Sequence, residues 1–174
     1  MVLRETVRAS ATVTVTRVDE EFGLFAARAV PAGQWLFSIN GELVATPSRY
    51  SVQVDSARHV DLLATHPSED LLESCYWRFM NHSCDPNAGI RGRAAHSLRA
   101  IAKGEEVVFD YNTTEFDLAE KFACRCGSPR CAGRIGGFRY LTRAEQERRR
   151  PLLADHLRAL LDRPGHGCAP VQAR

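Results

Sequence analysis

Three cysteines, Cys124, Cys126 and Cys131, fall close together in the segment CRCGSPRC. Thiolates are good ligands for zinc, and a structural zinc ion usually takes four ligands in a tetrahedron. Gly127, Ser128 and Pro129 turn the chain between the cysteines, so their sulfurs can converge on one ion. One position stays open, and Cys75, Cys84, Cys168 and the histidines are the candidates for it. Cys84 sits in NHSCDPN, where Asp85-Pro86-Asn87 makes a turn that can present a thiolate. The competing reading is a group of reduced free cysteines, but a cluster on a polar loop is unlike the isolated thiols of a core. A site built wholly of thiolates has no place for reactive water, so this metal is expected to hold the fold rather than do chemistry.

Two other segments carry side chains suited to chemistry: RFMNHSCDPNA at residues 78–88 and GEEVVFDYNTTE at residues 104–115. In the second, Val107-Val108-Phe109 reads as a buried strand ending at Asp110-Tyr111. A tyrosine at the end of such a strand can place its hydroxyl in a cleft, or merely cap a core with the hydroxyl in water. Asn81 and His82 can likewise bind a ligand or simply satisfy a turn. None of these residues is diagnostic alone.

The elements that must position them are mostly short strands. ATVTVTRV, from Ala11 to Val18, alternates with period two and predicts a strand. EFGLFAARAVPAGQWLFSINGELV is cut by Gly23, Pro31-Ala32-Gly33 and Asn40-Gly41 into further short strands and turns. YSVQVDSARHVDL, from Tyr50, reads as a strand or a hairpin, and Ser97 to Tyr111 as two strands around a Lys103-Gly104 turn. A short helix is expected between Pro67 and Met80, with Ser68 as its N-cap. Near the C-terminus, Thr142 and Glu145 fit a capping box. Leu152, Leu153, His156, Leu157, Leu160 and Leu161 then share a helical face, and Pro151 splits or kinks the run. That face either packs on the domain or meets a partner.

The segments FGLFAARAVPAGQWLF, RFMNHSCDPNA, GEEVVFDYN and FACRCGSPRCAG resemble, in this order, the signature elements of SET-domain lysine methyltransferases with a post-SET zinc segment. The resemblance runs from about Phe22 to Gly133. It implies a mainly β fold with short helices, made of small sheets with a pseudoknot, plus a C-terminal zinc-binding loop and helix. The expected division is a SET-like domain at residues 10–116, a zinc-binding segment at 117–137, a helical extension at 138–163 and a flexible tail at 164–174. The pseudoknot would bring NHSC beside Tyr111 and add Cys84 to Cys124, Cys126 and Cys131 on one Zn2+ ion.

The implied reaction moves a methyl group from the sulfonium of S-adenosyl-L-methionine to a lysine nitrogen. Lysine is normally protonated, with a reference pKa of about 10.4, and must lose its proton to attack. An apolar channel and a nearby positive charge both disfavour the ammonium form, and most of the remaining work is alignment. By the resemblance, Tyr111 stands beside the methyl group and the amine, both as the catalytic residue, giving orientation and electrostatic support, and as part of the cofactor-binding site. Asn81 and His82 match the cofactor-binding pair, Gly23 and Leu24 the backbone that approaches the cofactor, and Phe122 a residue packing near the adenine. Phe109 matches a position lining the lysine channel. Glu21 stands where the family often has the first glycine of Gly-x-Gly-Leu, so its side chain must point away. The insert at residues 42–79, which shapes the substrate groove in the family, is short.

Composition bounds these readings. The chain has 174 residues, a net charge of +2 and 25% charged residues. That is ordinary globular composition, with little sequence-independent attraction for phosphate, so no direct nucleic-acid binding is expected. No apolar run approaches the roughly 20 residues of a membrane span, and Glu5 and Arg8 interrupt the place of a signal peptide. A soluble protein of the reducing cytoplasm is expected, with no membrane partner. The expected partner is a protein presenting a lysine. Two alternatives are a methyltransferase acting on a small amine and a catalytically inactive zinc-bearing interaction module.

Overall fold

The computed structural model describes residues 4–62 and 75–163, with the backbone alone for residues 7–9. Strands β1 (Arg4–Ala9), β2 (Val13–Val18) and β3 (Glu21–Ala26) form an antiparallel meander. In β2 the period-two pattern sorts the faces: Val13 and Val15 are fully buried while Arg17 is exposed. The sequence predicts one strand from Ala11 and none before it. The structure starts β2 at Val13, because the Ser10 hydroxyl accepts the N–H groups of Thr12 and Val13 and turns the chain. β1 went unread because RETVRA is polar, as suits a strand at the edge of its sheet.

β4 (Trp35–Ser38) comes next, followed by β5 (Glu42–Val44), β6 (Val52–Gln53) and β7 (His59–Asp61). The last three form an antiparallel sheet in the order β5-β7-β6, so the segment read as a strand or hairpin is a hairpin. The expected N-cap Ser68 lies outside the described residues. What is described of that region is a 3-10 turn, Tyr76–Phe79, which delivers the chain into β8 (Asn81–His82).

β9 (Ala88–Arg91) and β10 (Ala94–Ser97) make a hairpin onto which β4 adds. Two full strands are not formed after Ser97. The Lys103-Gly104 turn is present, with Gly104 at φ 79. Its flanks make isolated bridges, Ile101 with Val30 and Glu106 with Phe25, as the chain crosses between sheets. β11 (Val108–Phe109) then pairs in parallel with β8, Val108 opposite Asn81 and Phe109 opposite His82. This pairing of distant segments sets the NHSC and DY motifs side by side. β12 (Phe122–Ala123) and β13 (Arg134–Ile135) close the cysteine loop between them.

The C-terminal extension carries α1 (Arg143–Arg149), opened by the Thr142–Glu145 capping box, and α2 (Asp155–Leu161). Pro151 lies in a 3-10 turn between them. Leu153, Leu157 and Leu161 are buried in a second small core with Phe138 and Leu141, so the apolar face packs on the domain. The main core gathers residues from the sheets that precede the cysteine loop, with Leu24, Ile39, Val60, Ile90 and Val107 essentially inaccessible.

Candidate functional site

The parallel β8–β11 pair is the hinge of the site. Asn81 is exposed, and its Nδ2 donates to the Phe22 carbonyl at 3.2 Å and to Glu106 Oε1 at 2.8 Å. It lines a cavity of about 620 Å³ together with Arg4, Asp19, Glu20, Glu21, Phe22, Gly23 and Glu106. Gly23 matters here for a packing reason. A Cβ there would lie 2.9 Å from the Phe25 ring and 3.0 Å from Glu106 Oε1. Glu21 is exposed at the cavity edge. Leu24 does not line the cavity; its side chain is in the core and its carbonyl accepts the Val107 N–H at 2.7 Å.

A second, narrow channel of about 40 Å³ includes Met80, the residue before Asn81. Tyr50, Trp77, Met80, Phe109, Tyr111 and Glu115 line it, with Arg49 and Arg78. The Tyr111 hydroxyl donates to the Met80 carbonyl at 2.7 Å, and its ring lies 4.7 Å from that of Phe109. The two aromatic side chains therefore share the channel although β11 ends at Phe109 and Tyr111 opens a 3-10 turn. Burial pushes the Tyr111 phenol well above its ordinary range, and Glu106 adds to the effect. Arg78 pairs with Asp61 at 2.9 Å and lies 4.6 Å from the centre of the Tyr50 ring, while the Trp77 indole donates to the Asn40 carbonyl.

His82 joins the two motifs to the cysteines. The Tyr111 N–H donates to its Nδ1 at 3.2 Å, which leaves the ring proton on Nε2, 3.3 Å from Cys84 Sγ. Burial lowers its pKa to about 4, against the pull of Asp110 and with help from Arg149. The ring is thus neutral, and its 3.8 Å approach to Asp110 is not an ion pair. Phe122 stands edge-on to His82 and Tyr111, with centroids 5.7 and 6.1 Å away, and is 37% exposed.

Of the candidates for the fourth metal position, the structure brings Cys84 to the cluster. Its sulfur and those of Cys124, Cys126 and Cys131 all lie within 4.8 Å of one another. Tetrahedral zinc with Zn–S bonds of about 2.3 Å needs sulfurs roughly 3.8 Å apart, and Cys84 and Cys124 are 4.0 Å apart. Cys75 is buried in the core, and Cys168 lies outside the described residues. The Ala132 and Gly133 N–H groups point at the Cys84 and Cys131 sulfurs, as suits thiolates. Burial pushes the Cys84 thiol far up and holds Cys124 at about 11. At Cys126 burial is outweighed by backbone N–H donors from Cys84 and Ser128, and the thiol falls to about 6.

Sequence reading assigned no role to Glu106, Met80, Asp110 or Glu115. Glu106 holds Asn81, and Met80 supplies a carbonyl, which no side-chain pattern reveals. Glu115 is buried against the channel, accepting the Gln53 N–H at 2.7 Å with His59 at 3.4 Å. Asp110 is 3% exposed and binds the Asn112 N–H and the Arg149 guanidinium. A charged residue directly after a buried strand was the available signal.

Residues 21–112, more than half the chain, match the SET domain. The chain belongs to the SET-domain family. A curated relative from Gibberella zeae, "Histone-lysine N-methyltransferase, H3 lysine-36 specific", is 33% identical over 77% of this chain and 16% of its own length. "Histone-lysine N-methyltransferase ash1" of Drosophila melanogaster is 43% identical over 34% of the chain and 3% of its own length. The chain thus spans less than a fifth of the length of these relatives. Among solved structures, the "crystal structure of KRYPTONITE in complex with mCHG DNA and SAH" matches with a TM-score of 0.50 and 20% identity. The match covers 76% of this chain and 29% of that one, which supports the SET fold itself. Among the described residues, no helix is long and apolar enough to cross a membrane.

Proposed function

We propose that this SET domain transfers a methyl group from S-adenosyl-L-methionine to the side-chain nitrogen of a lysine in a protein. The observation that carries the proposal is a pair of clefts lined by neighbouring residues, Asn81 in one and Met80 in the other. One is large enough for a nucleoside-sized molecule; the other is narrow and aromatic-lined, as a single aliphatic chain requires. The lysine-methyltransferase names of the relatives support the same reading.

The donor set of the large cavity fits the cofactor. S-adenosylmethionine carries an ammonium, a sulfonium and a carboxylate, and the cavity offers Asp19, Glu20, Glu21 and Glu106 with one arginine, Arg4. In this reading Asn81, steadied by Glu106, holds the amino-acid portion, with Phe22 and Gly23 beside it. Neutral His82 and Phe122, which stand outside the lining of that cavity, would flank the adenine. When bound, the cofactor would supply an electrophilic methyl group on its sulfonium, with S-adenosylhomocysteine as the leaving group.

The channel does the rest. Phe109, Trp77 and Tyr111 remove water from around the lysine stem, which disfavours the ammonium and promotes the free amine. Tyr111 stays protonated, because burial raises its phenol. It therefore orients the amine rather than taking its proton. Its bond to Met80 fixes the hydroxyl beside the residue that precedes Asn81.

We further propose that Cys84, Cys124, Cys126 and Cys131 hold one structural Zn2+, with the His82 Nε2–H hydrogen-bonded to the Cys84 sulfur. A partner of this kind orients a ligand and tunes its charge. Free thiolates persist in a reducing compartment, and the same proposal places the chain in one, cytosol or nucleus.

The test is incubation of the chain with methyl-labelled cofactor and a lysate of its host, followed by mass spectrometry. Label on lysine side chains of protein is the expected result. Label found only in small molecules, or nowhere, overturns the proposal.

A further inference from the structure

We infer that the C-terminal helical pair positions the Tyr111 loop, with Arg149 as the positioning residue acting through Asp110. The inference rests on the reading of Tyr111 as the residue at the site of methyl transfer. Arg149 ends α1 and is 9% exposed, while Asp110 is 3% exposed. Arg149 Nε donates to Asp110 Oδ2 at 2.6 Å. The other carboxylate oxygen accepts both the backbone N–H and the side-chain Nδ2 of Asn112, at 3.0 and 2.9 Å. One carboxylate therefore ties the helix to the turn that begins at Tyr111.

The extension makes two more bonds to the same loop. The Ala154 N–H donates to the Thr113 carbonyl at 2.8 Å, and His156 Nε2–H donates to the Thr114 carbonyl at 2.9 Å. Both residues follow the break at Pro151, where the chain leaves α1 and restarts as α2. The loop is held from its other flank by the Gly137 N–H on Asn112 Oδ1, at 3.0 Å.

Packing alone does not call for this arrangement. The leucine face of the extension already buries itself against Phe138 and Leu141. A buried ion pair is weak evidence for stability, since apolar replacements are often as stable. What the pair does supply is geometry. Arg149 presents a directed donor to a carboxylate that has no freedom left, and Tyr111 is the next residue. Misplacing a reacting group by about 1 Å can cost on the order of a hundredfold in rate.

The test compares Arg149→Gln, Arg149→Lys and the packing control Leu157→Ala in the full chain. Each is assayed for kcat and KM on an identified lysine substrate, for affinity toward S-adenosylhomocysteine, and for thermal stability. Arg149→Gln should lower kcat by about 10- to 100-fold while cofactor affinity stays within about twofold, a loss confined to the transition state. Arg149→Lys should recover part of kcat. Leu157→Ala should lower the melting temperature and leave the kcat of the folded protein near that of the parent. Arg149→Gln with parental kcat, or Leu157→Ala with an equal loss of kcat, overturns the inference.

Should Arg149→Gln fail to fold, the double variant Asp110→Asn/Arg149→Gln leaves no buried charge unpaired and keeps the Asn112 cap. It should fold and show the same deficit in kcat; parental kcat in it overturns the inference. A parent that methylates nothing defeats the proposed activity instead. Hydrogen exchange of the Asn112, Thr113 and Thr114 amides then decides the coupling separately. Faster exchange in Arg149→Gln than in Leu157→Ala supports it, and equal exchange overturns it.

Discussion

Tyr111→Phe removes one hydroxyl and nothing else from the channel. The bond lost is 2.7 Å long and ends on the Met80 carbonyl, in a site from which burial has excluded most water. Two costs follow. Leaving a buried acceptor with one partner fewer destabilises the fold by about 1–3 kcal/mol. Losing a preorganised polar group at the reacting atoms costs roughly 2.7–4 kcal/mol in the barrier, or about 10²- to 10³-fold in rate. Tyr111 does not line the cavity that would hold the cofactor, so binding of S-adenosylhomocysteine, measured calorimetrically, should change little. Asn81→Ala should do the reverse and weaken that binding. The pH profile adds a second readout. A phenol raised above its ordinary value stays protonated through pH 9, so the parent rate should climb with pH only as the lysine amine is freed. Tyr111→Phe should show the same slope at a lower level. A limb below pH 9 in the parent that the variant lacks would make Tyr111 a base and refute the orientation argument. Turnover of the variant at the parental rate would refute the site altogether.

Elemental analysis should find close to one zinc per chain, lost in Cys84→Ser and kept in Cys168→Ser. Thiolate ligands must shed their protons to bind metal, and burial raises the Cys84 and Cys124 thiols, so affinity should weaken steeply on acidification. Phe109→Tyr should shift products toward monomethyl-lysine at long incubation, because a hydroxyl in the channel can retain a water where a methylated amine must fit; an unchanged product distribution refutes this. The neutral state of His82 contributes stability that is complete above its unfolded pKa of 6.5 and is lost as pH falls to about 4. A shift of that size is worth about 3 kcal/mol in the urea denaturation free energy. His82→Gln should flatten that part of the profile, and a profile unaltered by the variant would refute the assignment.

How legible the molecule was in its sequence depends on how local each determinant is. The β2 alternation, the Thr142 capping box and the Pro151 break are decided by neighbours a few residues away, and each was readable. The convergence of Asn81, His82, Cys84 and Tyr111 was readable only through the resemblance, because the β8–β11 pairing is parallel and non-local. Two-residue strands such as Val108–Phe109 leave no periodicity to detect. The edge strand Arg4–Ala9 was missed for the opposite reason: it has periodic partners but no apolar face that sequence reading would notice.

Asp110 and Arg149 mark the limit most clearly. Each is conspicuous by itself, a carboxylate closing a buried strand and an arginine four residues before Leu153 on a buried helical face. Their pairing spans 39 positions, and nothing in either neighbourhood names the other. Burial supplies the missing rule. An isolated charge in the interior is too costly to persist, so Asp110 and Arg149, both nine-tenths inaccessible, require opposite partners. Once the fold closes the loop at Tyr111 against the end of α1, each is the other's solution. The extension is therefore built into the site's geometry, and residues far from either cleft bear on where the Tyr111 hydroxyl stands.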